Sequence, residues 1–216
     1  MLFLYRLGIS CYSLLVWIAS FFNQKARKFR TGRQHLFQEL SAAFQDNTAP
    51  VAWFHAASLG EFEQARPVIE VFKAAYPEYK ILITFFSPSG YEVSKNYALA
   101  DFVCYLPLDT PSNAHKFVAC VKPNIAFFVK YEFWYYILQT LHQHKIPTLL
   151  ISAVFRPSQW LFKPYGAWFR KIIQGYTQIF VQNEFSASCL SQVGIQQYQI
   201  AGDTRFDRVI AIVQNK

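Results

Sequence analysis

Two carboxylates stand where this sequence leaves room for acid–base chemistry. Glu61 follows the strand-like run VAWFH and the small residues Ala56, Ala57, Ser58 and Gly60, while Glu132 follows NIAFFV and Lys130-Tyr131. A carboxylate at the mouth of such a turn can reach a substrate hydroxyl at hydrogen-bond distance and take its proton. The same group in the first turn of a helix can equally do no more than complement the helix dipole. Glu63, two positions on, points elsewhere on a helix and reads as solvated. His55 ends an apolar strand, which suits a hydrogen-bonded core histidine, and His142 and His144 near a helix end read as solvated.

Other loops offer weaker chemistry. The SPSG stretch, with Ser87, Ser89 and Gly90, can seat an oxyanion or sugar hydroxyl on helix-terminal N–H groups or form an ordinary cap. Lys130, Arg156 and Arg205 are candidates for holding phosphate, against a reading as solvated surface cations. No GxGxxG follows the first strand, no GxxxxGK[ST] occurs, and no HExxH or acidic DxD pattern suggests a metal. Ser58 lacks the GxSxG context of a nucleophile elbow.

The elements that must position these residues alternate regularly. Strands are expected at 51–55, 80–86, 101–106, 124–129, 148–152, 178–182 and 198–202, with helices near 61–75, 89–98, 111–121, 132–144, 158–174 and 184–193. Strands this apolar, alternating with helices, require a parallel sheet covered on both faces. The expected class is α/β, a Rossmann-like doubly wound sheet over 50–207, in which ligands sit beyond the carboxyl ends of the strands.

The chain has 216 residues, a net charge of +8 and 19% aromatics, so it can bury a sizeable core and attracts something anionic. The run WLFKPYGAWFRK interleaves aromatics with cations as a membrane or nucleic-acid patch would, yet no charged groove for a single strand can be traced, and no nucleic-acid partner is expected. Cys11, Cys104, Cys120 and Cys189 lie in apolar surroundings without metal spacing and read as buried, reduced thiols. Residues 1–33 form a membrane-anchoring unit: an apolar stretch from Leu2 to Phe22 broken only by Arg6, then Lys25, Arg27, Lys28, Arg30 and Arg33. The basic cluster places the bulk of the chain on the cytoplasmic side. A cleaved signal peptide ranks second, and spanning the bilayer or lying in its interface both remain open.

Several blocks in order resemble the N-terminal half of the bacterial 3-deoxy-D-manno-octulosonic acid (Kdo) transferases: WFHAASLGEFEQARPVIE, TFFSPSGYEV, VKYEFWYY, LISAVFRPS, FVQNEFSA and GDTRFD. The resemblance implies a GT-B glycosyltransferase of lipopolysaccharide biosynthesis at the cytoplasmic face of the bacterial inner membrane. It implies inverting transfer of Kdo from CMP-Kdo to a lipid A precursor, a lipid IVA-like acceptor, with no cofactor and no essential metal. Glu61 matches the family's general base; Ser58, Gly60, Ser87, Ser89, Gly90, Lys130, Glu132, Arg156 and Arg205 fall in its substrate-binding or orienting loops. SPSG has serines where the family usually has threonines, and Lys130-Tyr131 depart from its common pair. Residues 208–216 are expected to lead into a C-terminal domain absent from this chain, leaving this half inactive by itself. The rival readings are a non-enzymatic, membrane-anchored module binding anionic glycolipid and a different GT-B sugar enzyme.

Overall fold

A computed structural model of the chain describes residues 1–206. The last residue of the expected 50–207 unit, and the expected connection at 208–216, lie outside the described residues.

Three helices precede the sheet: α1 (Leu2–Ala19), α2 (Gln24–Thr31) and α3 (Leu36–Phe44). Strands and helices then alternate as β1 (Val51–Ala56), α4 (Leu59–Ala75), β2 (Lys80–Phe85), α5 (Pro88–Ser94), β3 (Phe102–Tyr105), α6 (Pro111–Val121) and β4 (Ile125–Val129). The series continues with α7 (Tyr135–Gln143), β5 (Thr148–Ala153), α8 (Ala167–Ile173), β6 (Gln178–Val181), α9 (Glu184–Gln192) and β7 (Tyr198–Ile200). All seven expected strands form, and they make one sheet in the order β3-β2-β1-β4-β5-β6-β7 with every pair parallel. The class is the Rossmann-like α/β fold that the alternation required.

Local chemistry explains the helix starts. Thr110 Oγ1 accepts from the Asn113 N–H ahead of Pro111, Asn183 Oδ1 accepts from the Ser186 N–H, and Ser87 Oγ accepts from the Ser89 N–H ahead of Pro88. Alternate side chains of the strands feed two cores. Trp53, Leu82, Phe128, Leu150 and Ile179 pack against α3, α6 and α7, while Phe54, Ile83, Phe127 and Ile151 pack against α4.

The structure corrects three expectations and adds one helix. The helix expected at 158–174 is two 3-10 turns, Trp160–Phe162 and Pro164–Gly166, followed by α8, because Pro164 cannot continue the hydrogen-bonded ladder. α7 starts at Tyr135 and not at 132, so Glu132 lies in a loop. Residues 36–44 form a helix whose Leu36, Leu40 and Phe44 enter the core. Cys11 is exposed and Cys120 half-buried, unlike buried Cys104 and Cys189.

Arg33, counted above with the basic flank, turns inward. Its Nε donates to the Leu106 carbonyl at 2.8 Å, Nη1 to the Phe29 carbonyl at 2.9 Å and Nη2 to the Phe86 carbonyl at 2.8 Å. The guanidinium lies over the Phe29 ring at 3.6 Å and faces Tyr105 at 4.6 Å. Burial pushes it down to about 9. One side chain thus ties the last turn of α2 to the carboxyl ends of β2 and β3. Arg33→Met leaves three part-buried acceptors without this donor, at a cost of about 1–3 kcal/mol each. The variant is expected to melt at least roughly 6 °C below the parent in a thermal scan, and a drop under about 2 °C would contradict this account.

Candidate active site

The winding of the sheet reverses between β1 and β4, which are neighbours in space although β2 and β3 intervene in sequence. From β1 the chain moves to one side and from β4 to the other, so the loops leaving their carboxyl ends diverge. That reversal is where open sheets of this kind hold ligands. Glu61 stands on its β1 side and Glu132 on its β4 side.

Glu61 occupies the third position of α4. Its Oε2 accepts from the Ser58 N–H at 2.8 Å and from Ser58 Oγ at 3.1 Å, so it returns to the helix start in the manner of a capping box. The side chain is half-buried, and Gly60 beside it faces open space, since a Cβ there would meet nothing within 4 Å. The dipole-complementing role and an open approach therefore coexist at this carboxylate.

Glu132 sits differently. It is only 4% exposed, and its backbone carbonyl accepts from the Tyr176 hydroxyl at 3.0 Å. The free N–H groups at the start of α7 are taken by Asp109, whose carboxylate accepts from Tyr136 at 3.0 Å and Ile137 at 2.9 Å. The dipole role considered for Glu132 thus belongs to Asp109. Glu132 Oε2 lies 3.6 Å from Nε2 of His55, which is fully buried. His55 Nδ1 lies 3.1 Å from the Thr84 carbonyl and 2.9 Å from Thr84 Oγ1, which also accepts from Trp53 Nε1 at 2.8 Å. Nδ1 thus faces a carbonyl that only accepts and a hydroxyl that can accept or donate, while Nε2 faces Glu132. At 3.6 Å the two groups are in electrostatic contact without a direct hydrogen bond. Burial raises the Glu132 pKa; His55 and Trp134 pull it back, and the charge of Glu61 adds to the rise. A partly exposed carboxylate thus faces a buried one whose charge is disfavoured, an arrangement that separates acid from base roles.

The remaining predicted residues divide. Ser87 caps the short α5 by accepting from the Ser89 N–H, its hydroxyl lies 3.0 Å from that of Ser89, and the Ser87 N–H donates to the Ala57 carbonyl at 2.8 Å, which joins this loop to the Glu61 turn. Gly90 is buried for packing, because a Cβ there would lie 2.3 Å from Phe85 Cδ1. Lys130, at the end of β4, has a left-handed backbone with φ 65°, and Ser152 at the end of the adjacent β5 has φ 52°. Such strain in residues other than glycine gathers at functional loops. Ser152 Oγ meets Thr204 Oγ1 at 2.7 Å, and Thr204 in turn donates to the Gln64 carbonyl at 2.8 Å. Gln64 Nε2 donates to Asp203 at 3.1 Å, and Arg205 forks onto the same carboxylate, so its guanidinium is already engaged. Arg156 is exposed, its backbone N–H bonded to Gln159, and is not drawn to the two carboxylates.

Sequence reasoning missed His55, Gln64 and Trp134 as members of this site. The available signal was register: His55 pairs with Thr84 on one side and Phe128 on the other, a lone histidine in a wholly buried strand at the reversal. Because burial raises the Glu132 pKa, the folded state holds a proton that the unfolded chain has released, and this contribution to stability is lost as pH rises from the ordinary value near 4.5 through the folded pKa. Glu132→Gln removes that dependence. Its melting temperature relative to the parent is expected to climb as pH rises above about 4.5; a pH-independent offset in paired scans would refute the buried-acid reading.

Comparison with known proteins adds a family. A model described as 3-deoxy-D-manno-octulosonic-acid transferase (kdotransferase) matches residues 28–208. The 3-deoxy-D-manno-octulosonic acid transferase of Haemophilus influenzae is 33% identical over 102 residues, covering 47% of this chain and 24% of the relative. That of Aquifex aeolicus is 33% identical over 113 residues, covering 52% and 30%. The chain thus spans about a quarter to a third of the length of these curated relatives. Among solved structures, UDP-GlcNAc 2-epimerase from Neisseria meningitidis bound to UDP-GlcNAc superposes with TM-score 0.54 at 18% identity, over 76% of this chain and 49% of that one. At that identity the likeness shows the fold alone.

Proposed function

From the premise that the chain belongs to the 3-deoxy-D-manno-octulosonic-acid transferase family, we propose that it is the acceptor-binding, base-carrying domain of a Kdo glycosyltransferase. The donor is CMP-Kdo and the acceptor a lipid A precursor of the lipid IVA type. The observation that carries the reading is the placement of Glu61 and Glu132 on the two sides of the strand reversal, with open space at Gly60.

In this reading the Glu61 carboxylate leaves Ser58 and accepts the proton of the acceptor hydroxyl. The freed oxygen attacks the anomeric carbon of Kdo from the face opposite the leaving group, a new C–O bond forms, and the bond to the CMP phosphate breaks with its electron pair departing on CMP. One displacement inverts the anomeric centre, and no cofactor enters. Ser58 holds the base in register before transfer, and its hydroxyl and N–H are ready to receive it back. Glu132, fixed against His55, orients the β4 side of the site. Lys130 and Arg156 offer charge to the acceptor's anionic groups, and the left-handed backbone at Lys130 sets the direction in which that loop leaves the sheet. CMP-Kdo binding falls to a second domain that faces this one.

The apolar α1 and the cations after it fit a protein working on a lipid-borne acceptor at the cytoplasmic face of the inner membrane. By length and composition α1 is long and apolar enough to cross a membrane.

The test is Glu61→Gln in the full-length protein, assayed for transfer from CMP-Kdo to lipid IVA. Glutamine at this helix position still closes the capping box, so the melting temperature should stay within about 2 °C of the parent. Turnover should fall roughly 10²–10⁴-fold. Turnover within threefold of the parent would remove Glu61 as the base.

A further inference from the structure

We propose that α1 lies flat in the headgroup boundary of an anionic bilayer and does not cross it. The inference rests on the membrane-bound reading above and deepens it. Composition alone left both orientations open; the docking of the helix decides between them.

One face of α1 meets the rest of the protein near its start, at its middle and just past its end, although none of its own residues is buried. Near its start the Tyr5 hydroxyl donates to Asp109, and the Tyr5 ring packs against Tyr136 at 6.0 Å and Trp168 at 5.4 Å, while Arg6 Nε donates to the Tyr136 hydroxyl. In its middle, Tyr12 packs on Phe29 at 5.8 Å and Phe86 at 6.0 Å. Just past its end, Arg27 donates to the Ser20 carbonyl at 3.3 Å. The less exposed positions Tyr5, Ile9, Ser13, Val16 and Ser20 recur at helical spacing.

The opposite face is bare and apolar. Phe3 is 74% exposed and Phe22 just beyond the helix 89%, with Leu4, Leu7, Leu14 and Leu15 exposed between them. A span would require α1 either to leave its seat or to carry its neighbours into hydrocarbon. The first choice strips Asp109 of Tyr5 and uncovers Tyr136 and Trp168. The second drags Thr110 and Asn113, which line a groove with Ile9 and Ser13, into a region without water. Lying flat satisfies both faces at once, with the apolar side sunk about 5–10 Å.

Charge selects the occupant. From Leu2 to Thr31 the chain carries Arg6, Lys25, Arg27, Lys28 and Arg30 and no acidic residue. Arg30 lies 5.9 Å from the Trp17 ring and 6.0 Å from the Phe21 ring, which puts cation and aromatic together at headgroup depth. The same face of a second copy would bring like charges together; acidic lipid neutralises them.

The test is depth-dependent quenching by brominated lipids of a fluorophore on cysteine at three outward positions: native Cys11, Leu4→Cys and Ile18→Cys, the last two in a Cys11→Ser background. Cys120→Ser in all three removes the half-buried thiol, leaving only buried Cys104 and Cys189 besides the labelled cysteine among the described residues. Full-length protein is added to vesicles with and without phosphatidylglycerol. The expected result is one shallow depth at all three positions, with binding to the acidic vesicles about tenfold or more tighter than to neutral ones. A graded profile with Cys11 deepest, near the bilayer centre, would overturn the flat orientation and leave membrane attachment standing. Absence of quenching at every position, or a dimer that ignores vesicles, would overturn both.

Discussion

The reversal of winding between β1 and β4 is the constraint on which the rest of this structure depends. Right-handed crossovers wind outward from two adjacent parallel strands in opposite directions, so the loops above those strands part. Each strand then delivers one carboxylate to the divide, Glu61 through a helix start and Glu132 through an irregular loop. The two acids are far apart in sequence and near enough in space for the charge of one to weigh on the other. The chemistry proposed here depends on their contrast: one is kept on a helix terminus with access to solvent, the other is sealed against a buried histidine.

Sealing that second carboxylate requires a polar seam through an otherwise apolar interior. Trp53, Thr84, His55 and Glu132 follow one another from the sheet's core to its edge, and Arg33 and Asp109 serve orphan backbone groups at neighbouring points of the same edge. Buried polar groups are expensive when unpaired and strongly orienting when paired. Their concentration at the carboxyl edge, against the apolar clusters on both faces of the sheet, marks where precision of placement outweighs burial. The aromatic chain Tyr12, Phe86, Trp134 and His55, with ring centres 6.0, 4.7 and 5.9 Å apart, makes this edge continuous with the N-terminal helix.

The sequence made the sheet legible because parallel strands buried on both faces read as apolar runs, and all seven were placed to within two residues at their ends. Glu61 was legible for the same reason, since it follows the first run directly. What escaped is informative. Leu36, Leu40 and Phe44 gave too short an apolar repeat to announce α3, and the Pro164 break was masked by the aromatic richness of its segment. His55 passed for a simple core residue because its importance comes from Glu132, 77 positions away in the chain. Arg33 looked like its basic neighbours because composition cannot show that a guanidinium is turned inward onto three carbonyls. Pairings that depend on long-range register leave no local trace.

The clasp between α1 and the domain also sets an order of events during synthesis. Tyr5 waits for Asp109, 104 residues later, and Arg6 for Tyr136, 130 residues later. At about 5–20 residues per second, these two side chains wait roughly 5–25 s for their partners, whereas Phe29 and Arg27 of α2 follow α1 almost at once. For that interval the first turns of α1, which carry no acidic residue, lack the partners that seat them in the finished fold. The start of α1 therefore takes its final place only once the chain through α7 has been made.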